Sequence, residues 1–382
     1  MSIIIKAKIE DLTYRPGQLT NSNSLKEYPF SRFDINSSDS CGIVKINDNN
    51  KIAFSKWVSP KRTRSYPFAR IYDTYNFGGK RVTIIPVIKD EGMGASRNKS
   101  NNDRINYITL SWMNLTNIYV ILAWYTGATK KNEYRITDQI FDKNYVRNKI
   151  KEINEFQLDA HHWNNRHFRN DFAGVYKSAV NAYIKISKEL SVKMHDFSDH
   201  MKFLKEILSE DKKTISLSKF AEKTLGKSKM AAERETCVQH KHESLSLETE
   251  KPIFEMINNL GGKYYLTCDE ISIDRKNKKI IIRECKNATG DKLPKIADIK
   301  DGLFKILLFS QIKSLMFENE RYTYSVELKL TGLLTSQLIL PNTATKIDNF
   351  VMTENMSSSD IKIIKELYEE AKLNNYRISI GD

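Results

Sequence analysis

The sequence predicts an α/β protein of the α+β kind, with a mixed central sheet flanked by helices in its carboxy-terminal half and a large α+β region before it. Three observations carry this. Residues 263–287, KYYLTCDEISIDRKNKKIIIRECKN, set β-favouring runs on either side of the polar turn Asp274-Arg275-Lys276-Asn277, the pattern of a β-hairpin. Residues 299–317 are apolar nearly all round, as in a helix lying over a sheet. Residues 322–334 then alternate Tyr324, Val326, Leu328 and Leu330 with polar residues, as a further strand does.

At 382 residues, with 40% hydrophobic and 28% charged residues, the chain has the make-up of a soluble globular protein of two domains or one large one. A net charge of +14 and a pI near 9.3 favour a polyanionic partner held in a salt-sensitive way. Nucleic acid is the first candidate and a membrane surface the second. No apolar run is long enough to span a bilayer, and Met1-Ser2-Ile3-Ile4-Ile5-Lys6 is too short for a secretory signal, so no membrane partner is expected. Cys41, Cys237, Cys268 and Cys285 lie far apart without metal-ligand spacing, which fits a reduced cytoplasm.

Along the amino-terminal half, polar clusters at 21–24 and 36–40 break the chain around a short strand at 42–46. Residues 57–70 interleave Lys61, Arg62, Arg64 and Arg70 with Trp57, Tyr66 and Phe68, a mixture suited to phosphate contact with stacking, or to a solvated face beside core aromatics. The run 80–88 reads as a strand whose Pro86 argues for an edge or a bulge. Asp90, Glu91, Asp103 and Arg104 after it are turn residues or a second metal or DNA site. Gly92-Met93-Gly94 lacks the spacing of a nucleotide loop, so no nucleotide cofactor is expected. Residues 105–126 are apolar and fit one buried helix or two strands. From about 136 to 213 the pattern is helical. Within it, residues 157–169 gather His161, His162, His167, Arg166 and Arg169, and histidine spacings of one and five disfavour zinc, leaving packing and DNA contact. Lys177, Lys185 and Lys188 read as a solvated helix face.

Chemistry concentrates in the hairpin. Successive side chains of a strand alternate faces, so Glu284 and Lys286 point one way and Cys285 the other, and a paired hairpin can bring Asp269 beside them. Two carboxylates beside an ammonium suit a hard cation, magnesium or manganese as a substitute, completed by phosphate oxygens. Asp269 followed by Glu284-Cys285-Lys286 at the end of an isoleucine-rich strand resembles the signature of the PD-(D/E)XK nucleases, type II restriction endonucleases among them. The run 295–305 is similar to the helix that follows this strand in some of them. The resemblance covers residues 230–340, with Cys268 where the family has proline, and it leaves Asp269 and Glu270 as rivals for the first ligand.

That resemblance implies a restriction-endonuclease-like core. Asp269, Glu284 and the Cys285 carbonyl would hold magnesium, Lys286 would act on the attacking water, and a homodimer would cut double-stranded DNA to 5′-phosphate and 3′-hydroxyl ends. It also implies a helical glutamate near the metal. Residues 230–260 read as mostly helical, and Glu250 shares a face with Ile253, Phe254 and Ile257; Glu243 and Glu255 are its rivals, and a helix-start role for Glu250 stands beside the catalytic one. Residues 1–208 are then expected to be a DNA-recognition and scaffold region, 209–229 a lysine-rich linker, and 230–382 the catalytic domain, ending in a helix over 361–373 started by Ser357-Ser358-Ser359-Asp360. Two alternatives remain: a non-catalytic DNA-binding protein on the same scaffold, and a structure-specific or repair nuclease.

Overall fold

A computed structural model describes residues 3–17, 19, 25–61, 66–94, 103–237 and 252–381. It is a mixed α/β structure of two compact units, one formed by Ser24–Gly226 and the other by Met1–Asn23 together with Lys227–Asp382. The first strand, β1 (Ile4–Ile9), alternates exposed and buried residues and sends Ile5, Ala7 and Ile9 into the core of the second of these.

The unit Ser24–Gly226 opens with β2 (Glu27–Pro29), β3 (Cys41–Lys45) and β4 (Lys51–Lys56). Helix α1 (Pro67–Thr74) starts on a proline, which suits a first turn whose amide hydrogens have no helical partner. Then come β5 (Lys80–Pro86), the short pair β6 (Ile88–Lys89) and β7 (Asp103–Arg104), α2 (Tyr107–Leu115) and β8 (Tyr119–Ala123). The sheet order is β2-β3-β4-β5-β8, with only β3 and β4 antiparallel. Two expectations are corrected here. Residues 105–126 are neither one helix nor two strands but a helix and a strand, divided where Asn117 takes a φ of 52°. Strand β5 lies inside the sheet, and Pro86 is accommodated because it is the strand's last residue.

A separate ribbon, β9 (Tyr125–Asn132) and β10 (Arg135–Phe141), leads to α3 (Lys143–Glu155), α4 (Ala160–Leu190), α5 (Ser198–Ile207) and α6 (Leu217–Cys237). Helix α4 closes the free edge of β8 with side chains. Trp163 Nε1 donates to the Val120 carbonyl at 2.8 Å, Asn164 Oδ1 accepts from the Val120 amide at 2.7 Å, and His167 Nε2 accepts from the Leu122 amide at 3.0 Å. Since Nε2 accepts, the His167 proton sits on Nδ1, 2.6 Å from Asp171. Trp163, Asn164 and His167 therefore serve packing, one of the two roles expected of residues 157–169 beside DNA contact. Residues 209–229 are not a linker: Leu208 bridges to Ile215, α6 begins at Leu217, and the division between units falls at Gly226 and Lys227.

The second unit continues with β11 (Ile253–Asn258), β12 (Lys263–Thr267), β13 (Glu270–Asp274), β14 (Lys279–Asn287), α7 (Ile296–Phe309), β15 (Ile312–Phe317), β16 (Glu320–Thr331), β17 (Leu338–Leu340), α8 (Ala344–Thr353), α9 (Ser358–Asn374) and β18 (Arg377–Ile380). Its sheet runs β12-β11-β1-β15-β16-β14-β13, with β18 parallel to β16 and β17 antiparallel to β18. Residues 253–258 are thus a strand where a helix was expected. Asn258 accepts from the amides of Leu260 and Gly262, and Gly261 takes a φ of 77°, so the residues read as a helix end make a hairpin turn. The expected helix over 299–317 stops at Phe309 and becomes β15, an apolar run too short for its periodicity to separate the two. Helix α9 starts as expected, with Ser357 and Asp360 forming a capping box.

The expected division at residue 208 also missed β1, which pairs parallel with β11 and antiparallel with β15 and so completes the carboxy-terminal sheet. Ile9 is fully buried there, whereas Lys6 is exposed. Ile9→Ala is expected to cost about 2–4 kcal/mol in urea unfolding of the full chain, and Lys6→Ala less than about 0.5 kcal/mol. A silent Ile9→Ala would mean that β1 is dispensable.

Candidate active site

The hairpin of β13 and β14 is closed by Asp274, whose carboxylate accepts from the Asn277 amide at 2.9 Å and its side-chain nitrogen at 2.7 Å, and by Lys278 with φ 48°. Alternation along β14 buries Ile280 and Ile282, and two residues further the same face carries Glu284, only 1% exposed. Lys286 follows on that face. On the facing strand, Glu270 pairs with Arg283 and so lies on the opposite face, that of Cys285. One residue earlier, Asp269 comes opposite Glu284. It sits in the bend between β12 and β13 rather than within a strand, and its Oδ2 accepts from the Cys285 amide at 2.9 Å. Register therefore places Asp269, and not Glu270, beside Glu284.

Two further side chains arrive from α7. Gly302 lets this helix approach: a Cβ there would lie 2.9 Å from Leu328 Cδ1 and 3.2 Å from Lys286 Cε. Asp301 and Lys305, one helical turn apart, face the strand. Lys286 Nζ is 3.1 Å from Asp301 Oδ2 and 3.2 Å from Glu284 Oε1. Lys305 Nζ is 2.9 Å from Glu284 Oε2 and 2.8 Å from Oε1. Neither ammonium is aligned for a hydrogen bond with Oε1, which leaves that buried atom with charge partners only. The resemblance marks residues 295–305 as the following helix but gives Asp301 and Lys305 no role. Their four-residue spacing on that helix was the signal available.

The electrostatics follow from burial. Loss of solvent pushes the Glu284 carboxyl up; Lys305 pulls it back, Asp269 pushes it further up, and Lys286 pulls it down. Burial works against the Lys286 ammonium, but Glu284, Asp301 and Asp269 outweigh it and raise its pKa. Burial also pushes the thiols of Cys268 and Cys285 up. Three carboxylates against two ammonium groups leave one formal negative charge.

Asp269, Glu284 and the Cys285 carbonyl would offer oxygen donors of the kind that magnesium takes, and a buried carboxylate oxygen without an aligned donor fits a cation. Among the described residues no group of three or more His, Cys, Asp or Glu side chains could hold a metal, so waters and substrate oxygens would have to complete the shell.

The other expected site residues lie elsewhere. Glu250 and Glu243, with Arg62 and Arg64, fall outside the described residues. Glu255 is on β11, separated from β14 by β1, β15 and β16, and pairs with Lys263 at 2.5 Å. Lys61 pairs with buried Asp103. Asp90 binds His195 at 2.8 Å, a structural pair inside its unit. Arg70 is half-buried and donates to the Lys56 carbonyl at 2.6 Å. Arg166 and Arg169 are exposed on α4. Among the described residues no helix is long and apolar enough to cross a membrane. Compared with protein families, curated proteins and solved structures, the chain matches none.

Lys305→Met would leave Glu284 buried with one ammonium fewer and is expected to destabilise the chain by about 3 kcal/mol. Adding Glu284→Gln should recover most of that loss in urea unfolding. Two additive substitutions would show that Lys305 and Glu284 are not coupled.

Proposed function

We propose that this chain is a magnesium-dependent endonuclease of double-stranded DNA, with a PD-(D/E)XK core and the activity of a type II restriction enzyme. The observation that carries the reading is the convergence of Asp269, from the bend before β13, with Glu284 and Lys286 on one face of β14. Asp269, Glu284 and the Cys285 carbonyl would hold the ion. Bound there, magnesium would polarise the phosphate and make a water more acidic.

The chain's own groups account for the rest. Lys286, kept as an ammonium by Glu284 and Asp301, donates hydrogen bonds that orient water and steady charge growing on a phosphoryl oxygen. Asp301 fixes where that ammonium points, and Gly302 permits the approach. Hydrolysis would yield 5′-phosphate and 3′-hydroxyl ends, and a homodimer would cut both strands. The net charge of +14 supplies affinity for the substrate backbone.

One observation favours a second reading, a non-catalytic DNA-binding protein: Lys305 lies within 2.9 Å of both Glu284 oxygens, a charge already answered from within the chain. Incubation with plasmid and magnesium separates the two. Discrete fragments are expected, with Lys286→Ala cutting at least about 100-fold more slowly while still retarding DNA in a gel. Retardation by the wild-type protein with no cutting would replace the enzyme by the binder.

A further inference from the structure

Helix α4 is the longest in the described chain, 31 residues, and its two sides are unlike. The buried side packs Trp163, Asn164, His167, Phe168, Phe172 and Tyr176 into its own unit. Outward stand His162, Arg166, Arg169, Lys177, Lys185 and Lys188, all exposed. Glu189 is the exposed acidic group there, 3.6 Å from Lys185. Asp171 is turned to His167 and Lys149. Among the described residues, Arg166, Arg169, Lys177 and Lys188 have no carboxylate partner.

Spacing makes this more than a solvated face. Arg166, Lys177 and Lys188 recur every eleven residues, which is three helical turns with a drift of about 20°. They form one line about 33 Å long, from a rise of about 1.5 Å per residue. That length is close to one turn of B-form duplex, about 34 Å, along which phosphates repeat their charge at close intervals. Arg166 is held ready, its guanidinium 4.7 Å from the Phe156 ring centroid and 5.1 Å from that of Trp163. Helix α9 provides the contrast: Lys362, Lys365 and Lys372 there are interspersed with Glu366 and Glu369, and Lys362 lies 3.9 Å from Glu366. Such a mixed face needs no partner.

We propose that the outward face of α4 docks along the phosphate backbone of duplex DNA, with Arg166, Lys177 and Lys188 as its principal contacts. An anionic membrane surface is the poorer occupant. A helix lying on lipid inserts an apolar side, and that of α4 is spent on β8 and β9, leaving Ile184 at 39% exposure as its one large exposed apolar group. The inference rests on the proposed function for its choice of duplex DNA, but not for catalysis.

The test is fluorescence anisotropy of the full chain with a 30-base-pair duplex, without divalent cation, across a salt series. The triple variant Arg166→Gln, Lys177→Gln, Lys188→Gln is expected to bind at least ten-fold more weakly near 0.1 M salt. Its plot of log affinity against log salt should be shallower by about 2.7, at about 0.9 per lost phosphate contact. Lys177→Arg with Lys188→Arg should bind as the wild type does. Lys362→Gln, Lys365→Gln, Lys372→Gln, an equal loss of charge on α9, should leave the slope in place. Unchanged affinity and slope in the α4 variant would overturn the proposal. So would an equal loss in the α9 variant, no duplex binding by the wild type, or binding to phosphatidylserine vesicles in place of DNA. If melting followed by circular dichroism shows the triple variant unfolded, Lys177→Gln and Lys188→Gln alone should each lower the slope by about 0.9, and no change in either decides against it. Loss of binding in the α4 variant with no cutting of plasmid by the wild type would remove the endonuclease and keep the docking face.

Discussion

A carboxylate with 1% exposure on an interior strand is the constraint from which the carboxy-terminal unit is best understood. An isolated charge in that position costs several kcal/mol, so Glu284 can remain ionised only if cations come to it. Lys286 reaches it along the same strand and Lys305 from the helix above, and for Lys305 to arrive α7 must lie against β14 and β16. Gly302 provides that closeness at the expense of helix propensity, about 1 kcal/mol relative to alanine. Helix position, glycine placement and lysine spacing thus have one common cause.

Topology supports the same patch. Strands β14 and β16 are parallel and need a crossover between them, which α7 and β15 supply on the way. Strand β16 is braced on its other side by β15 along its first part and by β18 along its last, and Leu328 and Leu330 pair with Glu284 and Lys286. Side chains on such a strand have little freedom to shift. The wedge of β1 between β11 and β15 means that this rigidity depends on residues more than 200 positions away in sequence.

That dependence explains what could and could not be read from the residues alone. The β13–β14 hairpin was legible because its alternation and its turn are local, and so was α9, whose Ser357 and Asp360 announce it. Residues 253–258 were misread because Ile253, Phe254 and Ile257 satisfy a helical spacing by coincidence, and the partner that makes them a strand is β1. For the site, pleat geometry alone set Glu284 and Lys286 together. Asp269 required the register, and Lys305 required knowing which face of α7 meets the sheet. Lys177 and Lys188 looked like ordinary solvated lysines, since only the extent of α4 as a single helix puts them in line with Arg166.

The charge balance of the site points toward what would complete it. Asp269, Glu284 and Asp301 exceed Lys286 and Lys305 by one negative charge when all are ionised. A divalent cation alone would overshoot to one positive charge, and a phosphodiester alone would deepen the deficit to two. Both together cancel it. Lys305 then has a natural place: it shares Glu284 with Lys286 and limits the penalty of the buried charge, while Asp269 is held by the Cys285 amide, and in the proposed reading a cation would come to this patch together with its phosphate.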